Sequence, residues 1–503
     1  MQTVEKWGML EIAAPGKTEG NPFTDYTVQA VFTSKNETVT LEGFYDGDGI
    51  YKARFMPCFE GEYRYRLFGS FGEEINGSFL VTAPGEKNHG PVRVANGYHF
   101  AYEDGTPYYP VGTTCYAWAH QPEKVRQKTL EELDKGYFNK LRFCVFPKHY
   151  IHNFKDPLTF PYEGTPVDSS GLCEEKFSYQ PDFSGNCWDF TRFNPAHFAR
   201  IERCIVELQQ RGMQADIIVM HPYDRWGFSA MTREEDTLYW RYVIARFSAY
   251  RNLWWSLANE YDLLKKKLED WEHYAALLCR LDPYRHLRGI HNCIAFYEHS
   301  RPWVTHCSLQ RQDLYRHVEY TDEYRVRWGK PVVWDEISYE GNLDMGWGNI
   351  SGQELTRRFW EASLRGGYAG HGETFLDEEN DILWWSHGGK LHGESPARIR
   401  FLHEILMQTP GHGLKRATGS FDETVAIPDT PFSAAGYEIH YYGFGRPGFR
   451  DFIKPEGERW RAEIIDTWEM TVTDAGIHSG RFRLKLPGKE YMAVRLQKMG
   501  DIL

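Results

Sequence analysis

Between about residues 95 and 410 the chain repeats one alternation, a short apolar run followed by an amphipathic stretch. Short apolar runs suit strands covered on both faces, and the longer amphipathic stretches suit the helices that cover them. Eight such runs occur, at 108–116 (YYPVGTTCY), 138–146 (FNKLRFCVF), 214–220 (QADIIVM), 253–259 (LWWSLAN), 287–293 (LRGIHNC), 303–309 (WVTHCSL), 331–337 (PVVWDEI) and 368–375 (YAGHGETF). The amphipathic stretches carry helix stops. The one at 195–212 ends on Gly212, a residue suited to the C-cap, and the one at 270–283 ends on Pro283. Parallel strands need long crossovers, and eight strand–helix units predict an α/β fold, a (β/α)8 TIM barrel over 89–412. The stretch 150–192, rich in Pro, Gly and aromatics, is expected as a long loop after the second strand, at the barrel mouth.

On both sides the period changes to two. Residues 1–88 alternate apolar and polar positions between Gly, Asn and Asp turns, as in YTVQAVFTS and GEYRYRLFGS, and predict an N-terminal β-sandwich of roughly seven strands. YDGDG within it is a hairpin signal, because Asp and Gly tolerate positive φ. TAPGEKNHGPV is expected to link this domain to the barrel. Residues 413–503 return to alternation (GYEIHYYGF, GRFRLKLP) and predict a C-terminal β-sandwich.

Composition narrows the function. A net charge of -12 argues against nucleic acid or an anionic membrane as partner, and no apolar run reaches membrane-spanning length. Aromatics make up 16% of residues, which suits either stacking on sugar rings or a β-rich core. The nine cysteines are dispersed with no CxxC pair and read as small buried hydrophobes. The first residues show no basic head and apolar stretch of a secretory leader, so a cytoplasmic location is expected.

Two carboxylates then stand out. Glu260 ends LWWSLANE after the fourth predicted strand, and Glu336 lies in KPVVWDEISYEG at the end of the seventh. In a closed barrel both strand ends face one opening, the face that carries barrel chemistry. Glycoside hydrolysis needs such a pair, one group to protonate the leaving oxygen and one to attack or to activate water. His371 and Glu373 (HGE) invite a metal reading, yet the three or four ligands a site requires are not evident, so no metal or other cofactor is expected. SHGGKLHGES (386–395) reads as a glycine-rich loop over the pocket, without the Lys-Ser/Thr of a phosphate loop.

These segments resemble a known group. WSLANE and KPVVWDEISYEG resemble the acid/base and nucleophile strands of clan A retaining glycoside hydrolases. The pattern from Phe44 to Tyr65 (FYDGDG onward to GEYRY), PVGTTCYAW at 110–118 and the C-terminal β-domain are similar to glycosidases with an apiosidase-like barrel. The resemblance implies Glu260 as acid/base, Glu336 as nucleophile, Asn259 on the sugar 2-hydroxyl, and Arg142 keeping the nucleophile ionised. It also implies a substrate contact for His221, with a core or loop-capping role as the rival reading. His291, Asn292 and His306 are candidate substrate contacts because they close predicted strands. Tyr297 is a candidate for the tyrosine that bonds the nucleophile in that clan. Trp118, Trp384 and Trp385 are either subsite floors or core. The function implied is a retaining glycosidase, exo-acting on terminal sugars of plant-type oligosaccharides or glycosides. An endo-acting β-glucanase or mannanase and a non-catalytic carbohydrate-binding barrel are the alternatives. The expected partner is an oligosaccharide or glycoside, with no nucleic acid and no membrane; a homo-oligomer stays open.

Overall fold

The computed structural model describes residues 2–153, 155–173, 177–178, 182–376, 382–417, 422–430 and 436–500. Its centre is a parallel barrel of β1 (Gly112–Thr114), β2 (Lys140–Cys144), β3 (Gln214–Met220), β4 (Leu253–Ala258), β5 (Leu287–Gly289), β6 (Cys307–Leu309), β7 (Val332–Trp334) and β8 (Tyr368–His371). Neighbours run in the order β5-β4-β3-β2-β1-β8-β7-β6, and a single parallel bridge, His291 to Ser308, spans the remaining seam between β5 and β6. Every residue of β2, β3 and β4 is buried, as expected for strands sealed between a packed lumen and outer helices.

The helices follow from local signals. The helix Pro195–Gln210 starts on Asn194, whose side chain accepts from the Ala196 N–H, with Pro at the first position. Gly212 beyond it takes φ 70°, as its place after the helix end requires. The helix Arg233–Phe247 opens on a capping box between Thr232 and Glu235. The β5–β6 connection departs from the expected alternation and carries no helix. Asp262 explains how that segment is held instead, since its carboxylate accepts from the backbone N–H groups of Cys293, Ile294 and Ala295 at 2.6–2.8 Å. Several strands are also shorter than predicted. Tyr108 leaves the first run and joins Pro107 in a three-stranded antiparallel sheet with 92–95 and 99–102, and Glu373–Thr374 pairs with Glu340–Gly341 outside the barrel.

The N-terminal strands form a five-stranded and a three-stranded sheet, eight strands where about seven were expected. Phe32 stacks on Phe55 at 4.2 Å and Tyr63 on Phe79 at 5.3 Å between them. The YDGDG turn uses the positive φ it promised, at Gly47, Asp48 and Gly49. This domain is tied to the barrel by a buried ionic cluster. Arg54 forks onto Glu202 at 2.6 and 3.0 Å, and Arg246 joins Glu202 (2.6 Å) to Asp46 (2.7 Å). At the other end a six-stranded antiparallel sheet and a two-stranded ribbon follow the barrel, and Tyr441 stacks on Trp360 of the helix Gly352–Leu364. The insertion 150–192 does follow β2. It contains a two-stranded ribbon, Tyr162–Thr165 with Cys187–Phe193, while residues 154, 174–176 and 179–181 lie outside the described residues. Cysteine burial is mixed: Cys115, Cys144, Cys204 and Cys307 are buried as expected, whereas Cys187 and Cys279 are exposed. Among the described residues no helix is long and apolar enough to cross a membrane.

Candidate active site

Side chains two apart on a strand share a face, so β2 sends both Lys140 and Arg142 into the lumen at successive levels. The lower level is closed. Lys140 Nζ bonds Asp216 (2.5 Å) on β3 and Asp335 (3.0 Å) just past β7, and the Ser308 hydroxyl donates to the second Asp335 oxygen at 2.5 Å. The two cationic neighbours and Ser308 outweigh the burial that would raise Asp335, and hold its carboxyl well below the usual range.

The upper level is open. Arg142, 1% exposed, donates from Nη2 to Asn259 Oδ1 at 2.7 Å and from Nη1 to Glu336 Oε1 at 3.3 Å. Its Nη1 also donates to the Tyr116 hydroxyl (3.2 Å), which in turn donates to Glu336 Oε1. Asn259 Nδ2 reaches Glu260 Oε2 at 3.4 Å, so one polar chain links the two glutamates. Glu260 receives two further donors, the Tyr223 hydroxyl on Oε2 and Gln310 Nε2 on Oε1 at 2.8 Å. The backbone of Glu260 sits at φ 50°, ψ 56°, a left-handed conformation that costs a non-glycine residue on the order of 1 kcal/mol and is common at functional sites. The Asn259 N–H bonds the Met220 carbonyl and the Tyr261 N–H the His291 carbonyl, so the strands on either side fix this turn.

The two environments push in opposite directions. Burial raises the Glu260 carboxyl, the Glu336 charge raises it further, and the Tyr223 and Gln310 donors recover only part of this. Burial also acts to raise Glu336, but His291, Arg142 and the Tyr116 hydroxyl overcome it, leaving the group below its ordinary value. His291 itself, with Nδ1 3.8 Å from Glu336, is pushed down to about 4 by burial and Arg142. The imidazole is therefore neutral at physiological pH, and the cations that act on Glu336 there are Arg142 and, more weakly, Lys148.

The remaining candidates fall at different distances from this pair. Asn292 donates to the Gln310 carbonyl at 3.1 Å and so bears on the residue that holds Glu260. His221 is buried, bonds the Phe146 carbonyl at 3.2 Å and is driven down to about 3 by burial and then Lys148. Trp385 lies edge-on to Tyr116 with ring centres 5.6 Å apart and forms an aromatic wall with Tyr150 and Trp347. Trp384 instead donates to Thr113 in the core. Trp118 is fully buried against Phe143 with its N–H on the Arg126 carbonyl, a core residue rather than a platform. Tyr297 donates to Glu272 at 2.6 Å, so the tyrosine that reaches Glu336 is Tyr116. His306 does not close a strand. It precedes β6 and packs on Phe100 and on Trp254 at the start of β4, the end opposite the glutamates. His371 bonds Thr113 and Glu373 accepts from the His392 and Gly393 N–H groups, so the two do not converge. The loop 388–394 is drawn onto Glu373 and Glu340 by these and by the Glu394 and Ser395 N–H groups.

Sequence reasoning missed Tyr116, Tyr223, Gln310 and Lys148. All four lie at or within three residues of a predicted strand end, which is a usable signal, although many residues that line no site share it. A cavity of about 900 Å³ is lined by Tyr223, Pro222, Phe177, Leu263 and Leu264, and it meets the pair through Tyr223, whose hydroxyl bonds Glu260.

A parallel barrel with paired glutamates in unequal environments past β4 and β7 defines the class, a barrel glycosidase. Comparison with known proteins gives the family. Residues 94–387 match the apiosidase-like catalytic domain, and the chain belongs to that family. Residues 3–69 and 425–497 match two domains of unknown function, DUF5060 and DUF5605. A crystal structure of a candidate glycoside hydrolase from Bacteroides vulgatus ATCC 8482 is similar over 99% of this chain and 100% of that one, with 36% identity and TM-score 0.90. A glycoside hydrolase family 5 protein from the same organism shares the fold over 81% of this chain and 94% of that one, at 13% identity and TM-score 0.60. No curated protein matches.

Proposed function

We propose that the enzyme is a retaining glycosidase in which Glu336 attacks the anomeric carbon and Glu260 protonates the departing oxygen. Glu260 then takes a proton from the water that releases the sugar. The observation that supports this assignment is the opposite tuning of the pair. An attacking carboxylate must be ionised, and Arg142 with Tyr116 favours that at Glu336. A proton donor must keep its proton, and burial beside the Glu336 charge favours that at Glu260. Once Glu336 is esterified its charge is gone, so Glu260 becomes more acidic when it must act as base. Asn259, held by Arg142, is positioned to meet the sugar 2-hydroxyl, a contact that strengthens as oxocarbenium character develops.

Exo-action on terminal sugars of plant-type oligosaccharides or glycosides is the mode we infer. Tyr116, which bonds Glu336, crowds together with Tyr150, Trp347 and Trp385, while the large cavity lies on the side of Tyr223, which bonds Glu260, the side on which a leaving group must depart. The test is a screen of 4-nitrophenyl pyranosides and furanosides, apioside included, followed by NMR of the first-formed product. Net retention is expected. Inversion, or turnover that persists in Glu336→Gln, would overturn the assignment, and release of internal fragments from a polysaccharide would favour endo-action.

A further inference from the structure

Lys148 has no part in the roles above, yet it stands inside the site. Its ammonium nitrogen lies 3.4 Å from the centre of the Tyr116 ring, 4.3 Å from Tyr223, 4.9 Å from Trp385 and 5.2 Å from Tyr150. Tyr116 and Tyr223 are the two phenols that bond Glu336 and Glu260, so the amine sits between the holders of the pair. Lys148 is 5% exposed, and among the described residues its ammonium makes no hydrogen bond or ion pair. Lys140, eight residues earlier at the start of β2, is also buried but bonds two aspartates. Burial brings the Lys148 amine down to about 8, so it is charged at neutral pH. Cation–π contact compensates part of its lost hydration and leaves its three N–H donors without an acceptor.

The backbone on either side is fixed. The His149 N–H bonds the Tyr223 carbonyl at 2.9 Å, and the Lys148 carbonyl accepts from the Asn153 amide. The chain therefore holds a desolvated cation at a defined place beside both glutamates. A buried, unpaired ammonium lowers stability, and such groups are retained where a ligand completes them.

We propose that Lys148 is a substrate-binding residue whose ammonium donates to an acceptor oxygen of the sugar ring held between Glu260 and Glu336, either a ring hydroxyl or a carboxylate on that ring. The proposal rests on the double-displacement reading and deepens it, because Lys148 would select among sugars by where they carry that oxygen.

The experiment compares wild type, Lys148→Met, Lys148→Gln and Glu336→Gln on the 4-nitrophenyl glycosides that wild type cleaves, on the matching uronides and on singly deoxygenated analogues, with melting midpoints for each protein. Both Lys148 variants should lose about 10- to 100-fold in kcat/KM, the range for a hydrogen bond to a charged group. Their melting midpoints should equal or exceed that of wild type. Removal of one particular hydroxyl should cost wild type the same factor and the variants nothing more. A loss on neutral glycosides places a hydroxyl on Lys148, and a loss confined to uronides places a carboxylate there. Variants that match wild type within twofold on every substrate overturn the proposal, as does a lowered midpoint with equal proportional losses on all deoxygenated analogues. If Glu336→Gln still turns over, the double-displacement reading fails first. If Glu336→Gln is dead while both Lys148 variants are active, only the Lys148 proposal fails.

Discussion

Asp335 and Glu336 are consecutive acids at the end of one strand, and they show how one residue of displacement changes what a carboxylate can do. Asp335 faces the lumen, with both oxygens taken by Lys140 and Ser308 and 3% of its surface exposed. Glu336 sits one residue further out and keeps 12% of its side-chain surface accessible, with the Oε1 side held by Tyr116 and Arg142. Both are held below their ordinary values by neighbouring groups that overcome burial, Lys140 and Arg142 at Asp335 and His291, Arg142 and the Tyr116 hydroxyl at Glu336. The lower cluster is saturated and can only hold the barrel. The upper one leaves oxygens and donors free to be completed by a substrate.

The largest expected effect tests the upper level. Glu336→Gln should lower turnover of activated aryl glycosides by about 10⁴-fold or more while the melting midpoint stays near wild type. A variant retaining a tenth of wild-type activity would equate the two levels and break the distinction. Glu260→Ala should follow, with larger losses for poor leaving groups than for good ones and recovery of deglycosylation by added azide. Equal losses on both leaving-group classes would count against the acid/base role.

The lower level should fail in the opposite manner. Lys140→Met leaves Asp216 and Asp335 buried without their cation and should cost roughly 3–5 kcal/mol of stability, read by denaturant unfolding. In that variant burial acts on both carboxyls without the lysine that opposes it, which should move both upward. The loss should therefore be fully expressed at neutral pH and relieved as pH falls into the carboxylate range. In wild type the sign is reversed for Asp335, whose depressed value contributes stability that is lost as pH falls through it.

The pH profile of kcat/KM sharpens the comparison further. A bell is expected, with an acid limb below the ordinary glutamate value set by protonation of Glu336 and an alkaline limb above it set by ionisation of Glu260. The Glu260 part of the alkaline limb should disappear in Glu260→Ala, leaving the decline that follows loss of the Lys148 proton near 8. The smallest effect is expected from Gln310→Ala. Loss of a donor to the charged form should move that limb upward by a fraction of a pH unit, with kcat reduced only about 10-fold or less. A downward move would mean that Gln310 supports the protonated acid instead.

Much of the fold was legible because burial imposes long-range regularity on composition. The largely apolar runs at 214–220 and 253–259 are strands nearly to the residue, as a strand sealed on both faces reads that way. The seam between β5 and β6 was not legible, because the clamp on Cys293–Ala295 comes from Asp262, on another connection. The same holds for the site. Glu260, Glu336, Asn259 and Arg142 were visible as polar residues set on apolar strands and now form one bonded chain. His306 and Trp118 carried the same outward signal and went elsewhere. Residues at strand starts and strand ends look alike in a sequence, and a tryptophan beside a strand does not reveal which side of the wall it faces.

The sequence by itself determined the barrel, its flanking sheets and the two strand ends that carry glutamates, because each is a local pattern repeated until chance cannot supply it. Only the tertiary structure decided which tyrosine reaches which glutamate, which buried lysine is paired and which is not, and hence which carboxyl is depressed and which is raised. Those properties depend on distances of a few ångströms between residues remote in the chain, where desolvation and Coulomb interactions are strongest and one-dimensional order carries no information about them.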